Sequence, residues 1–213
     1  VPPCTLEITD AETFARDWTV IDVNSNVSAN TWAYNDGNAM YTQDKSNAAD
    51  DWLIAPAVTL EAGKAYKVSA YVKHSSTFGS DKQKIELKIG TAPTVEGLTT
   101  RLVYDESFQS RLFVEKSGTF SPAESGVFYV GLRCYSGSYM GDLYFQKIVI
   151  EEAPVYPVQI TDLSIVAGER GAMSATLSWT WPSSDHLGGA LSNLLGAKIY
   201  RGTDLVATLD TAT

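Results

Sequence analysis

Residues 50–74 read DDWLIAPAVTLEAGKAYKVSAYVKH, and this stretch decides the fold class. In its second half Tyr66, Val68, Ala70 and Val72 alternate with Lys67, Ser69, Tyr71 and Lys73. Successive side chains of a β-strand point to opposite faces, so the spacing predicts a strand with one apolar and one mixed face. The first half, WLIAPAVTL, is apolar throughout and reads as buried. Pro56 within it has no amide proton to donate and belongs at an edge or a strand end.

The same period recurs outward from this stretch. IELKIG places Ile85, Leu87 and Ile89 together, and VFYVGLRC does the same for Phe128, Val130, Leu132 and Cys134. In LYFQKIVI, Leu143 and Phe145 share one phase and Ile148 and Ile150 the other, which predicts a bulge near Gln146. Helical signal is confined to DAETFARDW, with Asp10 as N-cap. One further turn is expected in TAPTVEGLT, capped at Thr94.

Composition agrees. The 213 residues are 44% hydrophobic and 19% charged, which is a globular and not a disordered balance. Aromatics are 11%, and 16 Gly and 8 Pro punctuate short Val-, Ile-, Tyr- and Phe-rich segments, so strands are favoured over helices. With 25 acidic against 16 basic residues the net charge is −9, which argues against a nucleic-acid or anionic-membrane partner. No apolar run approaches the roughly 20 residues of a bilayer span. The opening VPPCTLEIT lacks the basic start and apolar stretch of a signal peptide, and reads as a mature or trimmed chain.

EEAPVYPVQ marks a boundary, because two glutamates close a strand and Pro154 and Pro157 stiffen the connection. The expected organisation is a first all-β domain over residues 1–152, a linker at 153–157 and a second β segment over 158–213. In the second segment ITDLSIVA, ATLSWTW, AKIYRG and LVATL read as strands.

Catalytic constellations are missing from the sequence. His74 and His186 are the only imidazoles, and neither is spaced with Cys4 or Cys134 as zinc ligands are. No G-x-S-x-G occurs, and CYSGSY lacks its flanking glycines. No motif nominates a glycosidase carboxylate pair. The expectation is a protein that is not an enzyme, with His74, at the end of a strand, an exposed or hairpin-end histidine. Trp18, Trp32 and Trp52 sit beside apolar partners and read as core.

Two groups remain as candidate sites. Asp22, Asn24 and Asn26 place oxygen donors at every second position, a pattern that suits calcium and equally suits Asx turns closing on their own backbone. The EF-hand pattern is incomplete there, without the glycine and the final glutamate. In CYSGSYMGD, Tyr135 and Tyr139 bracket Ser136, Gly137 and Ser138, whose small side chains leave the rings projecting. Asp142 follows as an acceptor for a sugar hydroxyl, so these three are the candidate glycan contacts; ordinary loop tyrosines covering a sheet edge are the alternative.

DWTVID, then DVNSNVSANTW, then DDWLIAPAVTLEAGKAYKVSAYV, GVFYVGLRCYS and GDLYFQKIVI together resemble the cleaved-adhesin family and the related choice-of-anchor J domains. These are jelly-roll modules similar to MAM domains, found in large surface proteins of anaerobic bacteria. The resemblance covers nearly all of residues 1–152. ATLSWTWPSSD and AKIYRGTDLVATL resemble the opening of a fibronectin type III domain, with Trp179 and Tyr200 facing its core. About seven strands make such a sandwich, and only the first four or so are recognisable.

The resemblance implies a jelly-roll β-sandwich followed by a partial fibronectin-type, immunoglobulin-like sandwich. It implies a secreted or cell-surface bacterial module, monomeric and without membrane insertion, that binds a host or dietary glycan or a protein. The alternative is an accessory or spacer region of a larger secreted protease or glycosidase. No cofactor is required. Family members can carry calcium where the Asx-rich loop meets an acidic pair on the final strand. Here Gln146 and Lys147 stand in that place, and an ammonium repels a cation, so little calcium dependence is expected. Cys4 and Cys134 fall on strands that neighbour one another in such folds, so they pair in an oxidising compartment or stay free as packed thiols.

Overall fold

The computed structural model describes residues 1–24, 30–76, 78–186, 188–191 and 194–210. Contacts divide the chain into two units, Val1–Ala153 and Pro154–Thr213.

In chain order the first unit carries β1 (Cys4–Glu7), α1 (Ala11–Asp17), β2 (Thr19–Asp22), β3 (Trp32–Asn35), β4 (Asn38–Tyr41), β5 (Asp51–Ile54) and β6 (Val58–Leu60). The longer strands follow: β7 (Ala65–His74), β8 (Gln83–Gly90), β9 (Thr100–Phe108), β10 (Val114–Phe120), β11 (Gly126–Cys134) and β12 (Leu143–Ala153). They form two antiparallel six-stranded sheets. One runs β10-β7-β12-β4-β3 with β1 also on β12; the other runs β2-β5-β11-β8-β9 with β6 also on β11. Neighbours in each sheet are mostly distant in sequence, as in a jelly roll.

The alternation read from the sequence sets the packing. Tyr66, Val68, Ala70 and Val72 are buried against Leu53, Ile85, Leu87, Val130 and Leu132 from the facing sheet. Between Phe145 and Lys147 the β12–β7 register shifts. That extra residue returns Ile148 and Ile150 to the core side with Leu143 and Phe145, as the change of phase predicts. Between β5 and β6, which both pair with β11, the ladder breaks at residues 55–57, where Pro56 cannot donate. Asp10 caps α1, its Oδ1 accepting from the Thr13 amide at 2.7 Å, and Phe14 is the helix's buried residue. Thr94 caps a turn through its carbonyl and its hydroxyl, both accepting from Gly97.

Trp18 and Trp32 enter the main core, but Trp52 does not. Leu53 faces the opposite sheet while Trp52 and Ile54 point the other way, into a separate cluster closed by Leu98 from the segment 91–99. Trp52 is 1% exposed there. Gly90 and Gly131 admit that segment: a Cβ on Gly90 would run into the Gly97 carbonyl, and one on Gly131 into Leu98. Cys134 and Cys4 are both free thiols, and burial pushes the Cys134 thiol up to about 12.

The second unit consists of two hairpins, β13 (Ser164–Ala167) with β14 (Ala175–Ser178), and β15 (Gly196–Arg201) with β16 (Asp204–Asp210). Tyr200, expected to face a core, is 55% exposed, and Trp179 is half-buried against Trp181. The reason is physical: each sheet has two strands, too few to close a sandwich over either ring.

Candidate functional site

Tyr135 to Asp142 connect β11 to β12, and this loop is tied down by buried polar groups. Gln83, at the start of β8, is fully buried. Its Nε2 donates to the carbonyls of Met140 at 3.2 Å and Gly141 at 2.6 Å. Its Oε1 accepts from the Cys134 thiol at 3.3 Å and from the Ser136 hydroxyl. His74 Nε2 meets the Met140 carbonyl at 2.6 Å. His74 ends its strand, as one of the two expectations has it, but is 1% exposed, which corrects the other; the strand ends beneath the loop, where the ring fills a polar slot.

The outer rim is bound as well. Gly141 N–H donates to Gln43 Oε1 at 2.8 Å, Asp142 N–H to Ser75 Oγ at 2.8 Å, and Tyr139 N–H to the Asp44 carbonyl at 2.8 Å. Within this clamp Tyr139 adopts φ +61°, a left-handed conformation that a side chain with a Cβ rarely takes. Its ring is 59% exposed. A strained backbone that presents an exposed aromatic ring is an observation that points to function.

The other two loop candidates have different surroundings. Asp142 accepts from the Gln43 amide through Oδ1 at 3.0 Å, leaving Oδ2 as its remaining acceptor. Tyr135 is half-buried, its phenol oxygen enclosed. Its ring stacks on Tyr104 of β9, with centroids 6.0 Å apart and planes 20° from parallel, and the Arg133 guanidinium lies 5.1 Å from its centroid. Burial, and then the adjoining Tyr104 hydroxyl, raise the Tyr135 phenol. Tyr135 therefore belongs to a ladder on the outer face of the second sheet. Arg101, Arg133 and Lys88 gather there round Glu86, which is 2% exposed, at 2.6, 3.5 and 3.7 Å. Arg133 also forms a two-pronged pair with Asp50 at 2.7 and 2.8 Å.

At the same end Asp22 stands opposite Asp51 across the β2–β5 pair. Asp51 is fully buried, and burial, followed by the charges of Asp22 and Asp50, raises its carboxyl to about 6. The Thr31 hydroxyl lies beside it, yet neither Asp51 Oδ1 nor Thr31 Oγ1 completes a hydrogen bond. Asn24 donates its amide nitrogen to the Ala48 carbonyl at 2.7 Å, and Asn26 lies outside the described residues. Among the described residues, no three His, Cys, Asp or Glu side chains are grouped as metal ligands. Lys147 belongs to the other sheet, 3.9 Å from Glu7 and over the Tyr71 ring, so its register does not set it against Asp22.

One surface escaped the sequence reading. The outer face of the first sheet carries Tyr71, Lys73 and Tyr144, with Phe113 beside them, and Lys73 Nζ lies 4.4 Å from the Tyr144 centroid and 4.9 Å from that of Phe113. The signal was present in the alternation itself, since Tyr71 and Lys73 occupy the phase opposite to the core.

No protein-family model and no curated protein sequence matches the chain. Solved structures do. The K2 cleaved adhesin domain of Lys-gingipain aligns with a TM-score of 0.50 at 15% identity, over 71% of this chain and 100% of that domain. The K1 cleaved adhesin domain of Lys-gingipain from Porphyromonas gingivalis W83 gives 0.49 at 14% identity, over 71% and 99%. The C-terminal CBM6 of LamC from Zobellia galactanivorans gives 0.40 at 18%, over 70% and 99%. The K2 likeness shows a shared all-β fold over that part of the chain, and at 15% identity it concerns the fold alone.

Proposed function

We propose that the first unit is a non-catalytic adhesion or carbohydrate-binding module, of the cleaved-adhesin and choice-of-anchor J type, in a secreted or surface protein. The second unit is then fibronectin type III-like. The observation that carries the reading is Tyr139, an exposed ring held in a strained conformation by a loop whose polar groups are bound. Such a loop loses little conformational freedom when a ligand docks. Tyr139 supplies the face for a sugar ring and Asp142 Oδ2 an acceptor for a hydroxyl. Tyr135, already stacked on Tyr104, holds one end of the loop and offers an edge.

Calcium is a secondary part of the proposal. Asp22, Asp51 and the Asn24 side-chain oxygen are the groups that would hold it, and the unbonded Asp51 Oδ1 supports this donor set for a hard cation. It would screen two facing carboxylates and brace the loop end.

A glycan array on the chain, with calcium and with chelator, tests the module reading. The expected result is a defined set of bound glycans whose affinity falls on Tyr139→Ala with the fold intact. Unchanged affinity in Tyr139→Ala would remove the loop from the site.

A further inference from the structure

The outer face of the first sheet carries an inference that rests on the binding-module reading and names a ligand class for it. Register places Tyr144 between Lys73 and Met40, and Met40 beside Ala33. Val72 pairs with Val114, so Phe113 borders Lys73 on the far side. One row, Phe113–Lys73–Tyr144–Met40–Ala33, therefore crosses the sheet from edge to edge, about 19 Å at the usual strand spacing. In the next row Tyr71 lies under the Lys147 ammonium at 5.1 Å from its centroid.

The ion pairs single out one residue in this row. Lys67, Lys84, Lys88, Lys116 and Lys147, the other lysines on strands of the first unit, each pair with a carboxylate. Among the described residues Lys73 pairs with none, although the chain carries a net charge of −9. Its contacts are the two rings. Glu115, which faces Tyr71 across the β10–β7 pair, is taken by Lys67 and Ser69. An ammonium held between aromatic rings is already ordered, so pairing it with an incoming anion costs little side-chain freedom. The rings flanking it present apolar surface to the faces of sugar rings.

We propose that this face binds an anionic polysaccharide, the Lys73 ammonium pairing with a carboxylate or sulfate while Phe113 and Tyr144 receive the adjoining sugar rings. The shared chemistry is a repeating anionic group on a pyranose chain.

The test measures binding of the intact chain to polygalacturonate, to dextran sulfate and to neutral laminarin, at low and high salt. Binding of either anionic polymer, weakened by salt and reduced about tenfold or more in Lys73→Met, supports the proposal; the two polymers tell carboxylate from sulfate. Lys73→Arg, which keeps the charge, is expected to retain binding, and equal melting temperatures confirm that both variants fold. Equal binding of laminarin, or anionic binding that Lys73→Met leaves intact, overturns the proposal and leaves the module reading standing. Binding to no glycan on these polymers or on the array overturns both.

Discussion

Replacing Asp51 with asparagine removes an ionisable group that the first unit buries completely. The carboxyl is fully buried, opposite Asp22, and its pKa rises from 3.8 to about 6. An acid whose folded pKa is raised holds more protons in the folded than in the unfolded state between those two values. Stability contributed by this group is therefore present below pH ~4, falls as pH rises towards ~6, and is flat above. A shift of about two units corresponds to about 3 kcal/mol against the folded state at neutral pH. Asparagine keeps the shape and an acceptor oxygen for the Asp50 amide, which now donates to Oδ2 at 3.1 Å. The shift already includes the charged acceptor's bond from the Asp50 amide; burying the added asparagine NH2 costs about 1–2 kcal/mol, so the expected net gain at pH 7 in chelator is about 1–2 kcal/mol. Urea midpoints of both proteins, measured in chelator from about pH 4 to 7.5, give the comparison as a difference, in which other titrating groups cancel. The wild type should lose stability relative to Asp51→Asn across that window and then run parallel. A variant less stable than wild type at pH 7 in chelator, or a pH-independent difference, would refute the reasoning. Calcium adds a second reading: at about 100 times its dissociation constant a bound ion contributes about 2.7 kcal/mol. That gain should appear in the wild type and be lost in Asp51→Asn.

Two further outcomes follow from the packing and the loop. Trp52→Ala should cost about 3–5 kcal/mol in denaturant unfolding, and the Trp52→Ala, Leu98→Ala pair less than the sum of its members, because both line one small cluster. A loss under about 1 kcal/mol would mean that the ring contributes little when the 91–99 segment closes over it. Tyr139→Gly should relieve the left-handed strain and stabilise the unit by up to about 1 kcal/mol in thermal or urea unfolding while weakening glycan binding. Destabilisation by the glycine would show that the ring packs on the loop and does not serve a ligand.

Much of the first unit was legible because period-two alternation is a local property. Tyr66, Val68, Ala70 and Val72 declare a buried strand face whatever lies opposite, and the change of phase in LYFQKIVI declares its own bulge. The N-cap at Asp10 is equally local, since a carboxylate needs only the Thr13 amide three residues on. The position of Pro56 follows from the donor it lacks. Tyr139 was found as an exposed ring because small residues precede it.

What depended on pairing was not legible. Alternation marks two faces without saying what covers the second one, so Trp52 and Tyr71 look alike in sequence; Leu98 buries the first, while the second lies half-buried under the Lys147 ammonium. The burial of His74 and the hub at Gln83 follow from where β7 ends and β8 starts beneath a loop more than fifty residues away, which no local pattern encodes. Tyr135 and Tyr139 were equivalent as neighbours of a small-residue loop, and separated only when β9 brought Tyr104 against one of them. Lys147 seemed set against the Asx-rich loop by family pattern, whereas the sheet order gives it to Glu7 and Tyr71. In the second unit, alternation predicted the strands correctly but not the exposure of Tyr200, because a buried face needs a second sheet to bury it. Sequence by itself marked the longer alternating strands and the two faces of each, but not β3, β4, β9 or β10; the order in which the strands pair decided which outward faces became core, which became charge ladder, and which stayed half-buried at the surface, because burial depends on what a distant segment lays over a face.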